Sequence, residues 1–546
     1  MNGSLLQTLR SRDALRITSM FGGVLVPALR VGVSYAVPIV VLLATGHLEL
    51  APFAALGAFT SLYCRVDTYA RRAWLLAVVA AGLTASVATG AMASAADAGG
   101  VTKVVVLTVV ATLSKLLADV LRLGPPGGLM FVFAAGAAAY SPQAWGGVAI
   151  AIAVTAASAA LSYLISMLGG VLHPTGPHRL ATARALLAVA DHLQNPSSAS
   201  RRRAHGSVHH ALTALRAGEG RAAIRLRGHL AHALHLLHHP AEVAEDLRAT
   251  GKRLRRGRIP DPALMRPLPR PVAAGRARLR EFRTNALRMA VACLVTGLIA
   301  STFELDHAYW AVVSVSSVLQ SHNTAATWQR ALQRSAGTIA GSLLALGIFA
   351  ADPTAVVLLV VIVVCQIAAE LVVMANYGLG LTFATPLALC LAALGHPADR
   401  LHLVAERVGM TLFGALLGVV VCLVLTNRQA RARLREALET CRGATRNLQR
   451  SPADPEARDD LVRAVFGLRD AHLVAVGEPL RAHHDDQEVL DCEHDAYRLL
   501  AATTASHQGA VSPGHSTPSR ASSSARSDTN SGSPTSRGRG RSSTRS

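Results

Sequence analysis

Long runs free of Asp, Glu, Lys and Arg alternate along this chain with short polar breaks. Among them are Val31–Gly46, Trp74–Ala96, Leu123–His178, Met289–Phe303, Ala308–Gln329, Ser335–Ala351, Pro353–Ala369 and Val408–Asn427. A bilayer core of about 30 Å takes about 20 apolar helical residues per crossing. Several runs reach that length, and Leu123–His178 is long enough for two crossings joined at Ser141-Pro142-Gln143. The pattern predicts an all-α polytopic membrane protein. The first apolar stretch has no small-residue cleavage site and is followed by further spans, so it reads as a span and not as a removed signal.

The runs repeat. Leu29-Arg30 recurs as Leu287-Arg288 and Arg72-Ala73 as Arg330-Ala331, each 258 residues further on, without a gap. Between them the same order holds: an apolar span, a polar break (Gly46–Leu50; Glu304–His307), then a second apolar segment. Six segments are predicted in each half, near 24–45, 51–63, 74–93, 103–121, 128–140 and 146–168, then 286–303, 308–319, 335–350, 355–373, 378–394 and 408–426. The second and fifth of each half look short for full spans. Internal repeats of this kind are a common transporter plan.

The expected organisation is a first bundle over 1–175, a cytoplasmic helical insert with its linker over 176–282, a second bundle over 283–428, a further helical region over 429–505 and a disordered tail over 506–546. Helices are expected at Arg179–Gln194, Arg221–His239, Ala241–Arg256, Gln429–Arg450, Glu456–Ala475 and Asp485–Leu500, with a Pro-rich linker at Ile259–Pro271. The Ser/Arg/Gly/Thr/Pro tail has almost no apolar residues with which to pack.

Charge changes this picture less than it first suggests. Lys and Arg number 54 against 33 Asp and Glu, a net +21, which could mean nucleic-acid binding. The surplus lies instead between and after the apolar runs, where cytoplasmic flanks carry it. Arg10, Arg12 and Arg16 precede the first span, Arg65, Arg71, Arg72, Arg122, Arg330 and Arg334 fall in alternate connections, and Arg428, Arg431, Arg433 and Arg435 follow the last. Both termini are therefore expected in the cytoplasm, and an even number of segments per half makes the repeats parallel. Arg400 and Arg407 are the exceptions.

No enzyme signature is present: the chain has no Gly-x-x-x-x-Gly-Lys-Ser/Thr, Gly-x-Ser-x-Gly or His-Glu-x-x-His. Its 7 cysteines are scattered without a Cys-x-x-Cys and read as small apolar packing residues. The run His229, His232, His235, His238, His239 is too loosely spaced, without carboxylate or thiolate help, for a metal site. No cofactor is expected, and the predicted partners are membrane lipid and a small anion, not nucleic acid. A homo-oligomer is compatible with the sequence, which fixes neither the oligomeric state nor the need for an adaptor subunit.

Ionisable residues at membrane depth are the sharper candidates, because desolvation makes them costly without a partner or a wet path. Lys115 and Asp119, four apart, share a helix face and can pair. Glu370 stands alone in the fourth segment of the second half, and with Lys115 and Asp119 it is the expected coupling or gating set. Arg30, Arg288 and Arg407 either line a path or snorkel to the interface. Tyr309-Trp310 reads as an interfacial anchor or a stacking surface. Gly337-x-x-x-Gly341 and Gly414-x-x-x-Gly418 suit close helix packing.

Tyr309-Trp310-Ala311, followed by Thr327-Trp328-Gln329-Arg330-Ala331-Leu332-Gln333-Arg334 running into Gly337-Thr338-Ile339-Ala340-Gly341, resembles the hallmark of the fusaric acid resistance/aromatic acid exporter family. Arg407-Val408-Gly409 leading into Gly414-Ala415-Leu416-Leu417-Gly418 is similar to its closing helix. The plan fits over roughly 25–430, better in the second half than in the first, where Pro52-Phe53 replaces the Tyr-Trp pair. The resemblance implies an inner-membrane permease exporting organic anions such as aromatic carboxylates. Arg30, Arg288, Arg330, Arg334, Arg407, Tyr309 and Trp310 would line its path. A passive anion channel of the same fold, and a non-transporting scaffold or sensor, remain alternatives.

Overall fold

A computed structural model describes residues 25–65, 67–172, 174–215, 221–236, 244–260, 279–302, 307–321, 324–395, 399–425, 429–475 and 484–509. Among them the secondary structure is helical throughout, without a strand. The first bundle comprises α1 (Leu25–Thr45), α2 (Ala51–Ala58, continued by a 3-10 turn at Phe59–Leu62), α3 (Tyr69–Ala95), α4 (Gly100–Leu121), α5 (Leu129–Ala139) and α6 (Trp145–Leu172). Polar helices α7 (Gly176–Gln194), α8 (Ser198–Ala214), α9 (Arg221–Leu236) and α10 (Ala244–Arg255) follow. The second bundle comprises α11 (Leu279–Ser301), α12 (Tyr309–Val318), α13 (Thr324–Ala350), α14 (Ala355–Val373), α15 (Tyr377–Gly395) and α16 (Arg400–Val424). Helices α17 (Gln429–Arg450), α18 (Pro455–Ala475) and α19 (His484–Gly509) close the described chain.

Among the described residues seven helices are long and apolar enough to cross a membrane: α1, α3, α4, α6, α14, α15 and α16. Fewer meet that measure than the twelve predicted segments, for three physical reasons. α2, α5 and α12 are short. α11 has an apolar part confined to Asn285–Ser301. α13 has the length but carries Gln329, Arg330, Gln333 and Arg334 in its first half. One expectation is corrected outright: the fifth segment of the second half is no stub, since α15 runs for 19 residues through Pro386. Its counterpart α5, with 11, is short as predicted.

The short helices form the centre. Every residue of α12 is buried, as is all of α2 except Pro52. Around them the long helices turn Leu, Val and Ile outward: Val40, Val105, Leu164, Leu343, Val360 and Leu416 are all exposed. In water such a girdle would be unfavourable, while in lipid it is the ordinary solvent-facing surface. α11 packs on α4 and α14 on α1, so each bundle lays one helix against the other, and α12 meets α5 between them.

Glycines set the closest approaches. A Cβ at Gly414 would stand 2.3 Å from the Ala311 carbonyl and 2.8 Å from the Ser314 side chain, and one at Gly337 2.3 Å from the Gly378 carbonyl. Gly414→Val should therefore push α16 off α12 and cost about 1–3 kcal/mol. Gly409, which meets nothing within 4 Å, is the control. Thermal unfolding in detergent should show a clear loss for Gly414→Val and no change for Gly409→Ala; equal behaviour would refute the close approach.

The polar helices build a second core. Leu186, Val208, Leu226, Leu461, Val465 and Val489 pack together, so α7–α10 and α17–α19 form one body from two separate stretches of chain. α8 went unpredicted at Ser198–Ala214, and its Ser197 closes a capping box with Ser200. Within this body Arg469 donates to Glu493 at 2.8 Å. Burial pushes the Glu493 carboxyl up, but His205 and Arg469 outweigh it and leave it below the usual range. Arg122, which ends α4, lies 3.8 Å from Asp470 on α18, an exposed contact of little energetic weight. Of the histidine run, His229 faces the Pro260 carbonyl at 3.0 Å. His238, His239, most of the Pro-rich linker, Arg10, Arg12, Arg16, Arg428 and the tail from residue 510 lie outside the described residues.

Candidate anion site in the second bundle

The site is assembled where α12, α13, α15 and α16 meet. Asn376 caps α15, its Oδ1 accepting from the Gly378 and Leu379 amides at 2.8 and 3.3 Å. That cap sets Tyr377 as the first helical residue, facing α12 and α13. The Tyr377 hydroxyl shares a 2.6 Å hydrogen bond with Ser317 Oγ and accepts from Arg334 Nη1 at 3.1 Å. Arg334 Nε donates to Ser314 Oγ at 3.0 Å, and Ser314 in turn donates to the Thr411 carbonyl at 2.7 Å. One turn earlier on α13, the Arg330 guanidinium lies 4.3 Å from the centre of the Tyr377 ring. Further along the bundle axis the Arg407 guanidinium stands 5.0 Å from the Trp310 ring centre.

Both inner arginines are buried, Arg334 to 2% and Arg407 to 4% exposure. Among the described residues neither has a carboxylate partner. Arg334 Nη2 and Arg407 Nε and Nη1 also lack any hydrogen-bond partner. A buried charge without a counter-charge costs several kcal/mol, roughly. Two of them near each other cost more, so the arrangement asks for an anion. Tyr377 and Trp310 supply ring faces beside the guanidiniums, and Ser314 and Ser317 supply hydroxyls.

The other candidates fall elsewhere. Tyr309 and Trp310, predicted as possible interfacial anchors, are buried at the start of α12. Lipid therefore does not reach them; Tyr309 in fact meets Tyr140 and Phe133 of the first bundle at 5.4 and 6.3 Å. Arg288 donates to the Leu425 and Cys422 carbonyls and so satisfies the C-terminal end of α16. Lys115 and Asp119 pair at 2.7 Å, both nearly fully buried. Glu370 does not join them. It pairs at 2.7 Å with Arg65, from the loop after the 3-10 turn of the first bundle. Arg30 donates to the Ser61 carbonyl at 3.2 Å close by. Arg72 ties down the same loop through the Cys64, Arg65 and Asp67 carbonyls.

Sequence reasoning missed Tyr377, Ser314, Ser317 and Arg65. Ser314, Ser316 and Ser317 together on a short, otherwise apolar helix were the available signal for the first three. It also passed over a polar group beside Arg407. Glu406, buried to 5% exposure, lies 2.8 Å from His307 Nδ1 and 3.5 Å from His402 Nε2.

Residues 293–421 match a family model described as fusaric acid resistance protein-like. The stretch includes α12, all four site helices' facing residues, and the Arg330–Arg334 and Arg407 motifs. An uncharacterized membrane protein of Bacillus subtilis strain 168, YvaC, is 26% identical over 223 residues, 40% of this chain and 35% of the relative. The match thus spans about a third of that relative's length. No solved structure matches. The chain is a multi-pass membrane protein whose second bundle, over residues 293–421, is fusaric acid resistance protein-like.

Proposed function

We propose that the protein is a permease of the inner, plasma membrane that moves small organic anions outward, with aromatic carboxylates as the preferred class. The observation that carries this reading is the pair of buried guanidiniums, Arg334 and Arg407, without a carboxylate partner. A carboxylate would accept from their free N–H groups, and the Tyr377 and Trp310 faces beside them favour an aromatic ring. Family likeness over the same helices points to export of such compounds. We take the two bundles as parallel repeats around a cytoplasmic insert: helix order is shared, and the reciprocal packing of α11 on α4 and α14 on α1 supports it. With both termini in the cytoplasm, Arg330 marks the inner end of the path, Arg334 the middle and Arg407 the outer part.

Proteoliposomes loaded with labelled benzoate test the reading. Saturable, protein-dependent release that changes with an imposed pH gradient is expected, and unlabelled benzoate should compete. Release no faster than from empty vesicles, for benzoate and for aliphatic carboxylates alike, would sink it. Release that follows voltage and ignores the pH gradient would replace the pump by a channel.

A further inference from the structure

The outer end of the arginine ladder carries a carboxylate that the anion path itself does not need. Glu406 is the residue before Arg407 on α16, and its side chain is 2% exposed. It is held by His307 from the turn before α12, 2.8 Å away, and faces His402 one helical turn back, 3.5 Å away. Apart from that longer contact, Glu406 Oε1 has no hydrogen-bond partner. The histidines reach the protein surface where the carboxylate does not: His307 is 22% and His402 57% exposed. Protons can therefore enter and leave this group.

Trp310 links the group to the anion site. The His307 ring stacks on the indole at 4.5 Å and 19°, and the Arg407 guanidinium lies 5.0 Å from the same ring centre. One buried indole thus carries the proton-accepting imidazole and the anion-seeking guanidinium. The remaining charged or titratable groups at this end, among the described residues, have other engagements. Arg400 pairs with Asp352, Asp399 caps α16 through the Leu401 amide, Lys103 lies over the Tyr140 ring, and Tyr309 packs on Tyr140.

We infer that His307, Glu406 and His402 form a proton-binding latch at the outer mouth, which sets the affinity of Arg407 for a carboxylate. The inference rests on the anion-path reading. With both imidazoles neutral, Glu406 and Arg407 do not pair, but their charges sum to zero at the mouth. With both protonated, Glu406 is neutralised by its own partners and the mouth carries two positive charges. Proton and anion binding then strengthen one another, and by reciprocity a bound carboxylate raises proton uptake. An acidic exterior holds the anion at Arg407, whereas a neutral one releases it.

The test uses Trp310 as reporter. Trp74 and Trp145 are exposed and Trp328 is half-buried, so replacing these three by Phe leaves Trp310 as the sole indole. In nanodiscs, emission should fall as pH drops from about 8 to 5, because an imidazolium quenches the indole it stacks on. His307→Gln should abolish that step. The probe 4-nitrobenzoate, anionic across this range, should bind at least about tenfold more tightly at the acid end. Glu406→Gln should bind it tightly at both ends, since the cancelling charge is gone. Flat emission in the parent, a step that survives His307→Gln, or an affinity independent of pH would each overturn the latch. A step in emission with no binding of any carboxylate would leave the proton site standing and remove the anion path instead. Should His307→Gln not fold, the Glu406→Gln affinities decide.

Discussion

Arg407→Met is expected to abolish anion release while making the empty protein harder to unfold. The two effects have one cause. Arg407 is buried against Trp310 with Nε and Nη1 unpaired and no ion-pair partner among the described residues, so in the absence of an anion its charge is desolvated with little compensation. Methionine fills similar space without a charge, and replacing buried charges by apolar residues of like volume is often stabilising by about 1–4 kcal/mol. Relief from the neighbouring Arg334 adds to the gain. A carboxylate meanwhile loses its charge-assisted hydrogen bonds. At about 1.5–3 kcal/mol for each such bond, one or two of them account for a drop in release of roughly 100-fold. The measurement pairs thermal unfolding of purified protein with benzoate release from proteoliposomes. A variant that transports normally would remove Arg407 from the path. A variant that unfolds at lower temperature would show that Arg407 serves packing instead. Arg334→Met is the harsher change, because it also strips Ser314 and Tyr377 of a donor.

That opposition between stability and function explains what could be read in advance. The apolar runs gave away the membrane helices because a lipid-embedded backbone must satisfy its own hydrogen bonds, which forces long uncharged stretches. Arg330, Arg334 and Arg407 stood out as charges in or beside such stretches. Lys115 and Asp119 were legible as a pair, since four residues of helix bring two side chains together. Partners from distant parts of the chain were not legible. Arg65 looked like a topology marker in a cytoplasmic connection, and only the packing of α14 on α1 brings Glu370, 305 residues further on, to it. Tyr377 and the two serines are ordinary residues until three helices converge. Trp310 looked like a lipid-facing anchor because an aromatic at a segment edge usually is one. Its burial follows from α12 being enclosed on every side, with His307 and Arg407 against the indole. α8 hid behind Arg201–Arg203 and three histidines, although Ala204, Val208, Ala211, Leu212 and Leu215 follow helical spacing and fill the second core.

The Arg65–Glu370 pair offers the sharpest structural test, because it joins the two bundles. Its side chains are 14% and 6% exposed, and Arg30 and Arg72 approach the same corner. Glu370 is thus the counter-charge for a guanidinium cluster and not an isolated carboxylate. Glu370→Gln should destabilise the protein by about 3–5 kcal/mol, the usual cost of leaving a buried partner charge unpaired. Arg65→Gln should cost about as much for the mirror reason. The double variant removes both charges at once, so most of the loss should return and the double variant should be more stable than either single one, a coupling larger than one single loss for groups in direct contact. Denaturant unfolding in mixed micelles, followed by helical signal, measures all four proteins. Additive losses would mean that no such pair bridges the bundles. The same four proteins also address the gate. If the pair must part for an anion to enter from the cytoplasm, the stable double variant should release benzoate without a pH gradient, while the parent depends on one. A double variant that is stable, yet as gradient-dependent as the parent, would confine Arg65 and Glu370 to holding the two bundles together.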